Sequence, residues 1–183
     1  MQDEQLYNQY RKKIERYLKR YVDKDNAEDL TQEVFIKVSR SRTSFREESS
    51  IETWIYKIAT NAAKDYLKSR QKKERDLISE TELESLDALT IENASPESMS
   101  LAHEMKACIE EFIHRLPHDY STVLVLSELE GYTVKDIAEI VGMNANAVKV
   151  RLHRARAKLK ETMDDGCIIT HTADHRIVCE RKE

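Results

Sequence analysis

Trp54, Lys57, Asn61, Lys64 and Lys68 follow one another at spacings of three, four, three and four. On a helix of 3.6 residues per turn they form one stripe. An aromatic ring, an amide and three ammonium groups in a row suit single-stranded DNA. The ring stacks on a base, the amide reads a Watson–Crick edge, and the ammonium groups follow the phosphates. Just before the stripe, SFREESS supplies Phe45, Arg46 and a polar loop able to hold a flipped base. Taken singly, a lone Trp fits a core and the lysines fit a solvated face.

A second set of donors lies in NAVKVRLHRARAKLK. At 100° per residue Val148, Leu152, Ala155 and Leu159 share a narrow apolar face. Asn146, Val150, His153, Arg154 and Ala157 lie opposite. Lys149, Arg156 and Lys160 make one flank, Arg151 and Lys158 the other. A helix entering a major groove needs this layout, with long donors reaching phosphates and a central strip meeting base edges. Lys149 and Arg154 are suited to guanine, and Val150 to a thymine methyl. The bland alternative is a solvated basic helix in a small bundle.

A third set is Cys167, His171, His175 and Cys179, each four apart. CIITHT and HRIVC have strand composition. A hairpin turning on Thr172, Ala173 and Asp174 pairs His171 with His175 and Cys167 with Cys179. The two pairs then lie about 13 Å apart at 3.3 Å per residue, too far for one tetrahedral ion. A structural hairpin, a redox-active cysteine pair and a metal site completed by other ligands all fit this spacing.

These residues need elements to carry them. The 183-residue chain has only 3 Gly and 2 Pro, and 35% of its residues are charged. This composition predicts an all-α protein. Leu6, Tyr10, Ile14, Tyr17 and Tyr21 recur at helical spacing, as do Leu30, Val34 and Val38. Phe35 and Ile36 widen that second apolar surface. Ile51, Ile55, Ile58, Ala59, Ala62 and Tyr66 give the core face of a third helix. Residues 74–100 are acidic, Ser/Thr-rich and weakly periodic, which predicts a linker; a short helix over 78–89 is the alternative. Leu101, Met105, Cys108, Ile109, Phe112 and Leu116 form another amphipathic face, ended by Pro117. A helix near 120–130 stops at Gly131. In GYTVKDIAEIVGMNANAV, Thr133 and Asp136 resemble a capping box, and Ile137, Ala138 and Val141 point inward. Gly142 ends that helix and Asn144 caps the next, which runs to about residue 163. Helix, tight turn, helix is the pattern of duplex readers.

Net charge is −4, but it is segregated: residues 76–102 contain no Lys or Arg, whereas 64–75 and 149–160 are basic. That distribution predicts basic patches for nucleic acid joined by an acidic tether. No apolar run reaches the roughly 20 residues that span a bilayer, and the N-terminus has no signal-peptide core. The expectation is a cytoplasmic protein with no membrane insertion. Its three cysteines do not make a secreted disulfide framework.

The segments AEDLTQEVFIKV, SFREESSIETWIYKIATNAAKDYLKSRQKK, LPHDYSTVLVLSELEGYTVKDIAEIVG and NAVKVRLHRARAKL occur in this order. Together they resemble the extracytoplasmic-function (ECF) sigma factors of bacterial RNA polymerase, in the sigma-70 family, across nearly all of residues 1–163. The resemblance implies a region 2 helical bundle at 1–73, an acidic linker at 74–100, a region 4 helix-turn-helix at 101–163 and a Cys/His-containing tail at 164–183. It places Asp29, Leu30, Glu33, Val34 and Lys37 on the helix that docks on the β′ clamp of core polymerase. Residues 45–52 become the loop capturing a flipped minus-ten base, with Asn61 near that pocket. Lys149, Val150, His153 and Arg154 become readers of the minus-thirty-five element. The linker resembles those threading the RNA exit channel. Asn146 and Ala147 replace a frequent Gly-Thr pair, and Val150 a frequent Ser, which bears on the sequence read.

The implied partners are core polymerase (β and β′) and promoter DNA, with an anti-sigma factor as a further class. No cofactor is required, apart from the metal or redox readings of the tail. The runner-up is a two-domain helix-turn-helix regulator that binds duplex DNA without joining polymerase. An enzyme has little support, since no phosphate loop, nucleophile motif or paired-carboxylate site stands out.

Overall fold

The computed structural model describes residues 2–45, 49–78, 101–171 and 177–181, with side chains described over 3–45, 49–73 and 108–166. The chain divides into two compact units, Met1–Ile91 with Ala138–Met143, and Glu92–Ile137 with Asn144–Glu183. No helix among the described residues is long and apolar enough to cross a membrane.

The first unit is built on α1 (Gln2–Leu18), α2 (Lys24–Ser41) and α3 (Ile51–Ile78), which pack on one another. Tyr10, Ile14, Tyr17 and Leu18 bury one face of α1, while Leu6 is half-buried. Asp23 starts α2 by accepting the Asn26 backbone N–H at 3.0 Å and its side-chain amide at 2.6 Å. These bonds, the backbone one foremost, hold the Asp23 carboxyl below the usual carboxylate range. Ala27, Leu30, Thr31, Val34, Phe35 and Val38 form the inner face of α2. Tyr17 sits at the centre, with its ring 5.2 Å from Tyr21 and 5.0 Å from Tyr56. Its hydroxyl shares a buried 2.8 Å hydrogen bond with Thr60 of α3.

α3 buries more than the expected stripe. Thr53, Ile55, Tyr56, Ala59, Thr60, Ala62 and Ala63 are all buried, whereas Ile51, Ile58 and Tyr66 are only half-buried. The small alanines let α1 and α2 approach closely, so the core wraps about two sides of the helix. α3 also continues to Ile78, so residues 74–78, expected as linker, are helical. No Gly or Pro interrupts it there. The remainder of the expected linker, with the alternative helix at 78–89 beyond its first residue, lies outside the described residues.

The second unit contains α4 (Leu101–His114), α5 (His118–Leu124), the first half of α6 (Val134–Val141, whose residues from Ala138 on count with the first unit) and α7 (Ala145–Gly166). Pro117 stands at the N-cap of α5, where its missing N–H costs nothing. Ser121 through Leu126 are all buried, so α5 and the residues just after it form the inner strut, with α5 packed on α4 and α7. A single π turn, Val125–Leu129, follows it, with the Glu130 N–H donating to Val125 O at 2.9 Å. Phe112 and Ile113 at the end of α4, and Leu116 just beyond it, are buried.

α7 ends three residues later than expected, at Gly166, the first residue after Asn144 without a side chain. A Cβ placed on Gly166 would lie 2.7 and 2.8 Å from two ring carbons of Phe112. The glycine therefore lets the buried aromatic ring meet the end of α7. Beyond it, β1 (Cys167–His171) pairs antiparallel with β2 (Ile177–Arg181). The register corrects the expected pairing. Cys167 is opposite Arg181, Ile169 opposite Cys179, and His171 opposite Ile177. Cys167 and Cys179 are thus diagonal neighbours, with Cα atoms about 7–8 Å apart in an antiparallel ladder. A disulfide spans only about 4.4–6.8 Å between Cα atoms. His175 lies outside the described residues.

Gly166→Ala should destabilise the second unit by about 1–3 kcal/mol, because overpacking forces the Phe112 ring to move. Urea unfolding followed by circular dichroism checks this. Phe112→Leu in the same background should recover part of the loss.

Candidate nucleic-acid interface

Along α3 the five stripe residues keep within about 80° of arc on a helix of 3.6 residues per turn. Asn61, Lys64 and Lys68 are exposed, while Lys57 and Trp54 are half-buried. The Trp54 ring rests against Phe45, with centroids 5.1 Å apart and planes tilted by 41°. Phe45 follows a short 3₁₀ turn, Arg42–Ser44, that closes α2. The two rings form an aromatic pad at the head of a basic track. Arg46 lies outside the described residues.

The start of α3 is held from both sides. The Thr53 N–H donates to the Ser50 hydroxyl at 3.0 Å. Lys13 of α1 pairs with Glu52 at 2.8 Å, and this hydrogen bond chiefly lifts the Lys13 pKa above its ordinary value. The pad and the track therefore project from a fixed helix end.

On α2, Asp29, Glu33 and Lys37 are exposed. Leu30 and Val34, expected on the same docking face, are 5% and 0% exposed and belong to the core. Their spacing of four puts them on the face turned to α1 and α3, where the core covers them. Ile36 takes their place as the apolar residue of the outer face, 50% exposed beside Gln32 and Glu33. The sequence showed it only as a widening of the apolar surface.

In the second unit the capping box forms. Asp136 accepts the Thr133 N–H at 3.2 Å and its hydroxyl at 2.5 Å, and the Asp136 N–H reaches back to Thr133 Oγ1 at 3.3 Å. Within α6, Ile137, Ala138 and Ile140 are buried; Val141, expected inward, is half-buried. At eight residues the helix is short enough that a one-residue shift of face escapes its periodicity. Gly142 turns the chain with φ 68°, a left-handed conformation open to glycine. Asn144 then accepts the Ala147 N–H at 2.8 Å and starts α7.

α7 presents the expected faces. Val148, Leu152 and Ala155 are buried and Leu159 half-buried. Asn146, Lys149, Val150, His153, Arg154, Arg156, Ala157, Lys158 and Lys160 are exposed, with Val150 at 51%. Arg151 is half-buried. Three of the cations carry carboxylate partners that sequence reasoning missed. Arg156 meets Glu128 at 2.6 Å, Lys158 meets Glu161 at 2.9 Å, and Arg151 lies 3.6 Å from Asp119. The hydrogen bond to Glu161 is the main cause that raises the Lys158 pKa. Asp119 and Glu128 sit on α5 and its π turn, and no periodicity in the sequence ties them to α7.

Two stretches of the chain match family models, sigma-70 region 2 over residues 6–73 and sigma-70 region 4 over residues 106–159. The ECF RNA polymerase sigma-E factor of Haemophilus influenzae is 38% identical over 159 residues, covering 85% of this chain and 84% of that protein. Its namesake from Escherichia coli K12 is 34% identical over 162 residues, covering 84% of each.

The chain belongs to the sigma-70 family, as an ECF RNA polymerase sigma factor.

Solved structures share the fold of this sigma factor. The sigma factor RpoE of Bartonella quintana, in complex with the anti-sigma factor NepR, superposes with a TM-score of 0.64 at 21% identity, covering 88% of this chain and 96% of that one. CnrH in complex with the cytosolic domain of CnrY gives 0.60 at 18% identity, covering 88% and 87%. The basic track on α3 lies within the region 2 match, and the exposed face of α7 from Asn146 to Lys158 within the region 4 match.

The Asn144 cap governs how α7 of this sigma factor begins. Asn144→Ala should lower stability by about 1 kcal/mol, whereas Asn144→Ser should stay close to wild type. Chemical denaturation midpoints of the two variants provide the measure.

Proposed function

We propose that this sigma factor divides promoter recognition between two chemistries. The pad of Phe45 and Trp54 and the track of Lys57, Asn61, Lys64 and Lys68 bind melted minus-ten DNA. α7 reads the minus-thirty-five duplex through Asn146, Lys149, Val150, His153 and Arg154, with Arg151, Arg156 and Lys158 on its phosphate flanks. The observation that carries this reading is the coexistence on one chain of an aromatic-headed basic stripe and a capped, basic-faced helix after a tight turn. The first suits unstacked bases and the second a groove. Asp29, Glu33, Ile36 and Lys37 form the face of α2 that docks on core polymerase. The family match in region 2 displaces the alternative of a free-standing duplex-binding regulator.

On this reading the protein is a cytoplasmic specificity subunit with no catalytic step of its own. The acidic segment between the two matches, which carries no Lys or Arg over residues 76–102, lies along the path of the transcript. An anti-sigma factor is its natural antagonist, a reading supported by the fold it shares with RpoE of Bartonella quintana in complex with the anti-sigma factor NepR.

Run-off transcription with core polymerase over a library of genomic promoter fragments should give start sites that core alone does not. Identical products with and without the chain would defeat the reading. Trp54→Ala and Asn61→Ala should then reduce permanganate reactivity of minus-ten thymines while leaving minus-thirty-five binding unchanged. Unaltered reactivity in both variants would remove the stripe from promoter melting.

For the tail, we propose the structural reading; the ladder register speaks against a disulfide between its two cysteines. Its two cysteines are offset by two residues rather than opposite. Transcription by wild type and by Cys167→Ser/Cys179→Ser should stay flat across a redox series and a Zn²⁺ titration. A wild-type response lost in the double variant would instead make the tail a sensor.

A further inference from the structure

The carboxylate beside the reading helix poses a problem of sign. Glu128 is 45% exposed on the side chain and sits against α7, where a negative charge should repel DNA. It holds Arg156 through two donors, Nε at 3.2 Å and Nη2 at 2.6 Å, both on Oε1. The other two pairs differ. Arg151 and Asp119 make a single 3.6 Å approach, and Lys158 with Glu161 is local to α7.

A guanidinium has five N–H donors in a rigid plane. Two point at Glu128, so the plane of Arg156 is set and its other donors remain. The Arg156 side chain is 58% exposed, which leaves those donors accessible. The mount for Glu128 is also firm. It belongs to the π turn Val125–Leu129, where Val125 and Leu126 are buried. The Tyr132 N–H closes onto Leu126 O at 2.9 Å just after it. Single π turns recur at functional sites, because the wider turn re-aims the side chains it carries.

We propose that Glu128 is a positioning residue for promoter contact, holding the Arg156 guanidinium so that its free N–H groups meet the phosphate backbone beside the minus-thirty-five element. The proposal rests on α7 being the duplex reader. Fixing an arginine before contact lowers the ordering cost at the moment of binding. That gain outweighs the repulsion of one exposed carboxylate already neutralised by its partner.

The test is equilibrium binding of reconstituted holoenzyme to a fluorescein-labelled duplex. The duplex carries the minus-thirty-five segment of the promoter that the wild type transcribes most strongly. Glu128→Ala should bind about two- to fivefold more weakly, the range of an exposed ion pair, although it removes a negative charge. Arg156→Ala should lose at least as much. Glu128→Ala should have no further effect in the Arg156→Ala background, as a double-mutant cycle reports. Glu128→Gln keeps an acceptor oxygen and should retain part of the affinity. It also supplies the measurement if thermal unfolding shows that the alanine variant fails to fold. Equal or tighter binding by Glu128→Ala, or the same loss with and without Arg156, overturns the positioning role while α7 remains the reader. If wild-type holoenzyme cannot distinguish this duplex from a scrambled one, the reading of α7 fails and the role of Glu128 with it.

Discussion

The hydroxyls of Tyr17 and Thr60 meet at 2.8 Å inside the first unit, and this bond fixes how α3 is turned about its axis. Seven of the described positions of α3 face the core, among them the polar Thr53 and Thr60. Packing of unlike side chains, from Ala to Ile and Tyr, narrows the rotation of so wide an inner surface, and the hydroxyl pair pins it. A buried hydroxyl pair is directional, and leaving either group without a partner costs about 1–3 kcal/mol. Turning α3 by one residue would also drive Lys57 or Asn61 inward. The same constraint therefore keeps the aromatic pad and the lysine track outside.

The second unit solves the matching problem for α7 by different means. α5 and the start of its π turn are buried from Ser121 to Leu126, so together they offer α7 a largely apolar bed. Its polar reach comes from its two ends. Asp119 in the first turn and Glu128 in the π turn contact opposite flanks of α7, through Arg151 and Arg156. Val148, Leu152 and Ala155 seat the helix. The carboxylates act on the basic flanks without covering the strip of Val150, His153 and Arg154 between them.

Much of this was legible in the residues themselves. Capping at Thr133, Asp136 and Asn144, the turn at Gly142 and the inner face of α7 follow from local chemistry that the chain carries within a few residues. The combination of motifs also pointed to the right family. What sequence missed were relations that depend on a neighbouring helix. Leu30 and Val34 have the spacing of a stripe, but which partner covers a stripe is a tertiary fact, and here it is the core. Ile36 and the carboxylates of Asp119 and Glu128 gained their settings the same way. The β1–β2 pairing was mislaid for another reason. A shift of two residues leaves every side chain on its original face, so alternation cannot tell the registers apart.

Six Lys and Arg residues lie between positions 149 and 160. Three of them already have an acid at hand within the protein. Duplex DNA gains affinity when cations displace the small ions condensed on its phosphates. A cation that brings its own counter-charge displaces fewer of them. As the proposed duplex reader, α7 should therefore act toward salt as though it bore roughly half its formal charge, with a shallow dependence of log K on log salt. Promoter choice then falls more heavily on shape and base contact, and less on the indiscriminate pull of the backbone.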